Sequence, residues 1–415
     1  MKHVIALLLT LSMLFAAACA APDIPASAYP EAANIAQIDL GFDVSAPEDY
    51  PGFAALLGAA LLDGESNRSF SPISAYYALA MAAEGANGKT REDLLTLLGC
   101  ESLDALHATI DGMTARLTRP TETGELTLCN SLWMGEAFPV KKEYRTQLSE
   151  RYDATVETVA FGTDAAAKRI ADWIAEKTNG LIAPAPEAMD FDPLTIAVLF
   201  NTIYFRDQWS RPFGSAQPGT FTRADGTTET AAYLHRLTED TSVVRGEGFL
   251  RYSVWYESKG RIVFVLPDEG VILSDLLGTP EKLQTLLSGG ENVRADVDLK
   301  LPEFAFSDRF ELADVLSALG LRDVFADGAD FSGMTSVPTR LDRVVQETVV
   351  DLNETGMEAA GYTEVLPAPG EAPMPDETEP PLPLIEFHLN RPFLFVIMGS
   401  GGTPLFIGTV ENPTH

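Results

Sequence analysis

The sequence predicts a single α+β domain with helices early in the chain, large and mainly antiparallel β-sheets after them, and a long exposed loop near the C-terminus. Three observations support this prediction. Helical periodicity is concentrated before Gly180, runs rich in β-branched residues are concentrated in the C-terminal half, and the two do not alternate as they do around a parallel doubly wound sheet. The hydrophobic fraction of 46% is ample for a core.

The charge balance is strongly acidic, with 60 Asp and Glu against 29 Lys and Arg and a net charge of −31 spread along the chain. Such a surface repels nucleic acid and anionic lipid, and it favours solubility. We therefore expect no nucleic-acid partner, and a membrane contact only through an N-terminal lipid anchor. A monomer is expected.

The N-terminus has the features of an export signal. Residues 1–18 combine a charged start with the apolar run Val4–Phe15, which is too short to span a bilayer comfortably. Residues 16–19 resemble a bacterial lipoprotein cleavage box, although Ala16 stands where leucine is typical. This interpretation predicts lipidation of Cys19 and a location at the cell-envelope surface. Plain signal-peptide cleavage is the alternative, and it predicts release into the extracellular space.

Residues 19–38, rich in Ala and Pro, are predicted to be a tether, and one folded domain is predicted over residues 39–415. Two cysteines remain in that domain, Cys100 and Cys129, both in apolar surroundings. Two cysteines in an exported protein could pair, but buried free thiols that behave as small apolar groups are the interpretation we prefer.

Helical patterns predict the early elements. The first helix covers Tyr50–Leu62, and Ser71, followed by a proline, is a good N-cap for the second. Thr90, with Asp93 three residues on, is predicted to cap a third helix. A further amphipathic helix is predicted over Ala166–Lys177.

Apolar and alternating patterns predict the later elements. The run from Leu194 to Phe205 is apolar almost throughout, as expected of a strand buried on both faces. A capped helix is predicted over Ser307–Gly320. The other predicted strands are Thr127–Met134, Tyr252–Glu257, Ile262–Pro267, Val297–Phe306, Arg343–Asp351, Leu394–Met398 and Leu405–Val410.

The chain shows no positive sign of catalytic chemistry. Its five histidines lack a His-Glu-x-x-His or paired-cysteine pattern, so His107, His235 and His388 are each interpreted as structural or surface residues. No Gly-x-Ser-x-Gly elbow occurs, and the carboxylates are too numerous to single out a catalytic pair. We therefore predict a protein that is not an enzyme and that uses neither a cofactor nor a metal.

The segment that follows the strand Arg343–Asp351 is unusual. Residues 363–384 hold seven prolines and no Lys or Arg, so they must form an exposed loop. Before the first proline, Pro367, the ten residues 357–366 can all donate ladder hydrogen bonds. In a strand they would alternate between a small or apolar face and a largely polar one. The first face would carry Met357, Ala359, Gly361, Thr363 and Val365, and the second Glu358, Ala360, Tyr362, Glu364 and Leu366.

Several separated motifs resemble the serpin family of protease inhibitors, in the order of that family. They are Ser71-Pro72-Ile73-Ser74, the block from Glu84 to Thr90, Glu354-x-Gly356-x-Glu358-Ala359-Ala360-Gly361, and Asn390-Arg391-Pro392-Phe393. The resemblance covers roughly residues 39–413. It implies a suicide-substrate inhibitor of serine endopeptidases, with cysteine endopeptidases as a further option. In such an inhibitor the cleaved reactive loop, about residues 355–384, inserts into the central sheet and traps the acyl-enzyme.

The resemblance also implies roles for individual residues. The hinge of the loop comprises Glu354, Gly356, Met357, Glu358, Ala359, Ala360 and Gly361, and Met357 stands where Thr or Ser is usual. A polar gate beneath the hinge comprises Ser71, Ser74, Asn201 and Gln346, with Trp209 under the entry point of the loop. Gln346 replaces the usual histidine, but its amide can still donate and accept.

The bond offered to the protease has several candidates. Counting forward from the hinge by the spacing of the family places it at Gly370–Glu371, whereas counting back from Asn390 places it near Pro381. Most serine proteases do not cleave ahead of proline, which leaves Gly370–Glu371, Glu371–Ala372, Asp376–Glu377 and Glu377–Thr378. We expect a target that prefers glutamate or small residues rather than a trypsin-like protease. The alternative function is a non-inhibitory, serpin-fold binding or structural surface lipoprotein.

Overall fold

The structure, a computed structural model, describes residues 38–117, 124–180, 182–189, 191–357 and 381–414. Among these residues no helix is long and apolar enough to cross a membrane. The signal and most of the tether lie outside the described residues. So do the sites predicted at Cys19, Glu358, Ala359, Ala360, Gly361, Gly370, Glu371, Ala372, Asp376 and Glu377.

The long helices belong to the first half of the chain. The helices are α1 (Tyr50–Leu61), α2 (Pro72–Gly85), α3 (Gly88–Leu97), α4 (Leu103–Leu117), α5 (Lys142–Tyr152), α6 (Asp164–Lys177), α7 (Leu273–Leu276), α8 (Pro280–Ser288) and α9 (Ala313–Leu316). Every residue of α2 is buried, so this helix forms the centre of the helical layer. Its predicted cap is confirmed, because the Ser71 hydroxyl accepts a hydrogen bond from the Ser74 amide at 3.3 Å.

The start of α3 corrects a prediction. The helix begins at Gly88, and Thr90 does not form a capping pair with Asp93. The Asp93 carboxylate instead accepts hydrogen bonds from the Lys89 ammonium at 2.7 and 2.9 Å. The Thr90 hydroxyl accepts from the Asp330 amide at 2.9 Å, so it ties α3 to a distant segment.

The strands form two sheets. A nine-stranded sheet, here called the large sheet, has the order β1-β15-β14-β8-β7-β6-β9-β13, with β5 also on β6. Its strands are β1 (Arg68–Phe70), β5 (Gln217–Thr222), β6 (Thr228–Gly246), β7 (Phe249–Trp255), β8 (Arg261–Pro267), β9 (Glu291–Pro302), β13 (Leu384–His388), β14 (Phe393–Met398) and β15 (Pro404–Val410).

The second sheet has six strands in the order β10-β11-β12-β4-β2-β3, and it is called the hinge sheet because β12 belongs to the predicted hinge. Its strands are β2 (Glu125–Gly135), β3 (Thr155–Val159), β4 (Ala197–Gln208), β10 (Phe304–Glu311), β11 (Arg343–Asn353) and β12 (Gly356–Met357). Strand pairs are mainly antiparallel, and the parallel ones are β2–β3, β4–β11 and β9–β13.

The helix predicted over Ser307–Gly320 is wrong in its first half. Phe304–Glu311 forms strand β10, which pairs with β11 along its whole length, and α9 begins only at Ala313. The predicted strand Val297–Phe306 is likewise divided, because β9 ends at Pro302 and β10 starts in the other sheet. The apolar positions in 304–310 fit both the 3.6-residue period of a helix and the two-residue period of a strand. Pairing with the buried strand β11 selects the strand.

The apolar core has two parts. The main cluster lies between the sheets and around α1 and α2, and it includes Leu199, Ile203 and Val350 of the hinge sheet. A smaller cluster covers the opposite face of the hinge sheet beneath α6, where the rings of Trp133 and Trp173 meet edge to face at 6.1 Å. The hinge sheet is therefore covered on both faces over part of its length, within one α+β domain as predicted.

Candidate functional site

The candidate site is a slot between two parallel strands of the hinge sheet. β4 and β11 pair with each other only from Val198↔Arg343 to Thr202↔Glu347. Beyond these pairs the facing edges of residues 203–206 and 348–351 are not paired with each other. The opposite end of the slot is occupied by β12, which pairs antiparallel with both strands.

The strand β12 enters the slot in a defined register. Met357 lies opposite Asp207 on β4 and opposite Leu352 on β11. The offset between the numbers of the two strands is 352 minus 207, or 145, and the pair Gln346↔Asn201 at the closed end has the same offset. A strand that continued from Met357 would therefore keep one register on both sides down to Val198 and Arg343.

The first inserted side chain is already buried. Met357 is 3% exposed and belongs to the main core together with Leu352. Its neighbour Gly356 has φ of +152°, and a Cβ there would collide with the Asp207 carbonyl oxygen and approach Gln208 Cα to 2.8 Å. Only glycine fits this entry point.

Trp209 holds the turn that leads into β12. Its indole Nε1 donates to the Asn353 carbonyl at 2.9 Å, and its backbone N–H donates to the Thr355 carbonyl at 3.2 Å. The Asn353 side chain accepts from the Thr355 amide at 3.0 Å, which closes the turn. The ring of Trp209 stacks on Tyr256 with centroids 5.0 Å apart. Trp209, predicted to lie under the entry of the loop, thus contacts the turn before β12.

A buried carboxyl lies beside the hinge. Asp207 is 1% exposed and accepts hydrogen bonds from the Ser258 hydroxyl and from the Gln208 amide, the latter at 2.9 Å. Burial raises the pKa of Asp207, and the hydrogen bonds oppose this effect only in part. Asp207 carried no signal in the sequence, because an acidic residue at the end of an apolar strand usually faces solvent.

The residues predicted to form the gate are brought together in part. The Gln346 Oε1 accepts from the Ser71 amide at 2.8 Å, and its Nε2 donates to the Ser71 carbonyl at 2.7 Å. Asn201 lies opposite Gln346, but its amide donates to the Asn130 side chain. Among the described residues, Ser74 Oγ and Asn201 Oδ1 are buried without a hydrogen-bond partner.

Two further polar residues complete the gate. Asn130 on β2 donates to the Tyr152 carbonyl at 2.8 Å and so links Asn201 to α5. Thr348, the first residue of β11 beyond the closed pairs, donates to the Ser69 carbonyl at 2.7 Å. The only sequence signal for Asn130 was an amide inside the apolar strand Thr127–Met134.

The first hinge residue, Glu354, is exposed and lies next to another acid. Burial, and then the hydrogen bond and charge of Glu354, raise the pKa of Glu303. The two carboxyls repel each other when both are ionised, so this pair opposes ionisation of Glu303 at the outer edge of the hinge.

The remaining sequence candidates lie away from the slot. His107 contacts the buried Glu84 carboxylate at 2.7 Å. His235 and His388, interpreted as structural or surface residues, both contact the Asp298 carboxylate, at 2.6 and 2.9 Å. Within the described ranges, no group of three His, Cys, Asp or Glu could hold a metal ion.

Both cysteines of the folded domain are free thiols, as we preferred. Cys129 is buried and donates to the Lys177 carbonyl at 3.3 Å. Burial raises the pKa of the Cys129 thiol to about 12.

Comparison with known proteins gives the class. The serpin (serine protease inhibitor) family model matches residues 52–413. Alpha-1-antiproteinase F of Cavia porcellus is 29% identical over 404 residues, covering 92% of this chain and 94% of the relative. Iris of Ixodes ricinus is 29% identical over 366 residues, covering 84% and 93%.

Solved structures agree. The thermophilic serpin Tengpin in its native state superposes with a TM-score of 0.75 at 26% identity, covering 92% of this chain and 97% of Tengpin. Thyroxine-binding globulin in complex with thyroxine gives 0.73 at 25% identity, covering 89% and 98%. The chain belongs to the serpin family of protease inhibitors, which are not enzymes, although some serpins are non-inhibitory.

Proposed function

We propose that this protein is an exported suicide-substrate inhibitor of serine endopeptidases, which traps the acyl-enzyme by inserting its cleaved loop between β4 and β11. One observation carries the proposal. The slot has ten positions in constant register, 198–207 on β4 and 343–352 on β11, and the chain from Met357 has ten residues before its first proline. A proline-free segment of matching length can form backbone hydrogen bonds along both strands.

The side chains that would enter fit the main-core face of the slot. In this register Ala359 would lie between Phe205 and Val350, whose side chains belong to the main cluster. Thr363 would lie between Asn201 and Gln346, where buried polar atoms such as Asn201 Oδ1 lack a hydrogen-bond partner. Alternate small and apolar residues from Met357 therefore meet an apolar face, and the one hydroxyl meets the polar gate.

A clamp marks the far end of the slot. The Asp342 carboxylate accepts hydrogen bonds from the amides of Ile196 and Ala197, and the Asp342 amide donates to the Ala197 carbonyl at 3.1 Å. By the same offset Pro367 would meet this clamp. An entering strand would thus reach its first residue without a backbone N–H donor at the point where hydrogen bonds join the two flanking strands.

The proposed target follows from the loop composition. Residues 358–380 contain six acidic residues and no Lys or Arg, so a trypsin-like enzyme lacks a cleavable bond there. We place the reactive bond at Gly370–Glu371, with Glu371–Ala372, Asp376–Glu377 and Glu377–Thr378 as alternatives. A glutamate- or small-residue-preferring protease is the target class. Export with lipid anchoring at Cys19 and a monomeric state complete the proposal.

The test is covalent trapping. The protein is mixed with a glutamyl endopeptidase, an elastase-like enzyme and a subtilisin-like enzyme, and the products are separated on denaturing gels. A complex that resists SDS is expected with at least one enzyme, together with a higher Tm of the cleaved protein. Met357→Glu should be cleaved without trapping, because a carboxylate cannot enter the core unpaired. Met357→Leu, which keeps the volume and apolar character, is the matched control and should still trap.

A non-inhibitory surface protein is the second candidate, and one observation favours it. The register would place Glu364 between Phe200 and Val345, which belong to the apolar cluster beneath α6. A carboxylate there opposes complete insertion. Clean loop cleavage by all three enzymes, with neither a covalent complex nor a change in Tm, would establish this alternative and contradict inhibition.

A further inference from the structure

An exposed face of the large sheet lies beside the C-terminal attachment of the loop. Strand β13 begins at Leu384, and the Asp296 amide on β9 donates to the Pro383 carbonyl at 2.9 Å, so the chain is fixed as soon as it rejoins the sheet. Leu384 is 61% exposed and Leu237 on β6 is 52% exposed. Both are among the most exposed large apolar side chains of the described residues.

The strand register places these leucines among carboxylates. Leu237 lies opposite Asp298, which in turn lies opposite Glu386, while Leu384 lies opposite Asp296. Residues directly opposite each other point to the same side of a sheet. The intervening positions of β9, such as Val297 and Leu299, are buried, so the face with the leucines is the solvent side.

The face carries an excess of negative charge. Its acidic members are Asp240, Asp296, Asp298 and Glu386, and its basic members are Arg294 and Lys300. Arg294 is already engaged by Asp240 through bonds at 2.5 and 2.9 Å. Apart from the histidines, the face therefore offers three carboxylates and one ammonium to a partner.

The face is also held rigid. His235 of β6 and His388 of β13 both bind the Asp298 carboxylate of β9, at 2.6 and 2.9 Å. Burial opposes ionisation of Asp298, but the bonds and charges of the two histidines outweigh it, and the pKa of Asp298 lies below its ordinary value. One carboxylate thus joins three strands, and a partner would not have to order them on binding.

We propose that this face docks the body of the target protease and favours proteases with basic and apolar residues beside the active site. The inference rests on the proposed function, because it needs a protease at the loop. Leu237 and Leu384 would be the apolar anchors, and Asp296 and Glu386 would attract the basic rim. These four residues form the docking face.

Chain length lets the two surfaces meet directly when the protease is bound at the alternative site Glu377. Leu384 lies seven positions after Glu377, and an extended chain covers about 3.5 Å per residue, or about 25 Å in all. A protease of ~200 residues is on the order of 40 Å across. A protease bound at Glu377 is therefore wider than the extended chain from Glu377 to Leu384, so it can reach the docking face. From Gly370 the reach is about 50 Å, and contact then needs the loop to bend back.

The experiment measures the second-order rate constant for loop cleavage by the same three proteases, whether or not a covalent complex forms. The double variant Leu237→Ser, Leu384→Ser should react about tenfold more slowly with the fastest enzyme. The double variant Asp296→Lys, Glu386→Lys should slow the reaction and weaken its dependence on salt. Leu194→Ser is the matched control, since Leu194 is 54% exposed but precedes the far end of β4.

The outcomes separate the two proposals. Unchanged rates for both double variants with all three enzymes would overturn the docking face, even if covalent trapping occurs. Slower cleavage in the double variants, with no trapping, would support the docking face while the inhibitory function fails. An equal loss in the Leu194→Ser control would show a general effect of removing exposed leucines and would also overturn the docking face. Circular dichroism and Tm establish that each variant is folded.

Discussion

Gln346 and Ser71 hold each other through two hydrogen bonds, at 2.7 and 2.8 Å, that join a strand side chain to the backbone before α2. Both residues are essentially inaccessible to solvent. The primary amide pairs with the peptide group as one peptide pairs with another in a sheet. Strand β11, which would have to move in the proposed insertion, is thereby fixed to the centre of the helical layer.

Removing this pair should destabilise the protein. Gln346→Ala would leave the Ser71 amide and carbonyl buried without partners, and we expect the free energy of unfolding to fall by about 2–4 kcal/mol. Urea unfolding measures the change. The control is Gln284→Ala, which removes a solvent-exposed side-chain amide on α8. It should change stability by less than about 0.5 kcal/mol. Similar losses in both variants would show that the Ser71 pair contributes nothing specific.

Gly356→Ala tests the entry of the hinge. The new Cβ would collide with backbone atoms of Asp207 and Gln208, so β12 should leave the slot. We expect limited proteolysis at residues 355–357 to become at least tenfold faster. Gly278→Ala is the control for backbone strain alone, because Gly278 has φ of +85° but open space around its Cβ position. If proteolysis of the two variants is alike, steric exclusion at Gly356 is refuted.

Asp207→Asn tests the buried carboxyl at the hinge. Because burial raises the pKa of Asp207 above its ordinary value of 3.8, the folded protein binds this proton more tightly than the unfolded chain. Stability from this group is therefore lost as the pH rises from 3.8 through the folded pKa, and the cost persists above it. The Asn variant should gain stability relative to the wild type between about pH 4 and about pH 7. A difference that does not change with pH would contradict the assignment.

The two thiols should differ in reactivity. With a pKa of about 12, Cys129 holds only about one part in ten thousand as thiolate at pH 8, and it is buried. Iodoacetamide should therefore modify the partly exposed Cys100 well before Cys129 in the native protein, and both at once in urea. Mass spectrometry of peptides gives the order. A peptide pair linked by Cys100 and Cys129 would instead reveal a disulfide.

The sequence was sufficient for the parts that depend on local pattern. The buried strand β4 and the cap at Ser71 have short-range signals, and the structure contains both of them. The prediction for segment 304–311 was wrong because its apolar spacing fits both a helix and a strand, and only pairing with the neighbouring strand selects the strand. Local propensity cannot make that choice.

The partners of functional side chains were harder to predict. Gln346 was assigned to the gate through the family resemblance, but its partner is a backbone peptide, which has no signature in the sequence. His235 and His388 meet at Asp298 only because β9 lies between β6 and β13, and this strand order is not written in any one segment. The offset of 145 residues that defines the slot is likewise a property of pairing.

The Asp342 clamp has a consequence for redesign. It closes the far end of the slot, where Pro367 would lie. Residues after Leu366 would therefore not enter the space between β4 and β11. Under the proposed function, recognition of the enzyme and capture of the enzyme would then depend on separate segments of the chain. Exchanging residues 367–380 for another sequence should redirect the protein to a different protease and leave its capacity for capture intact.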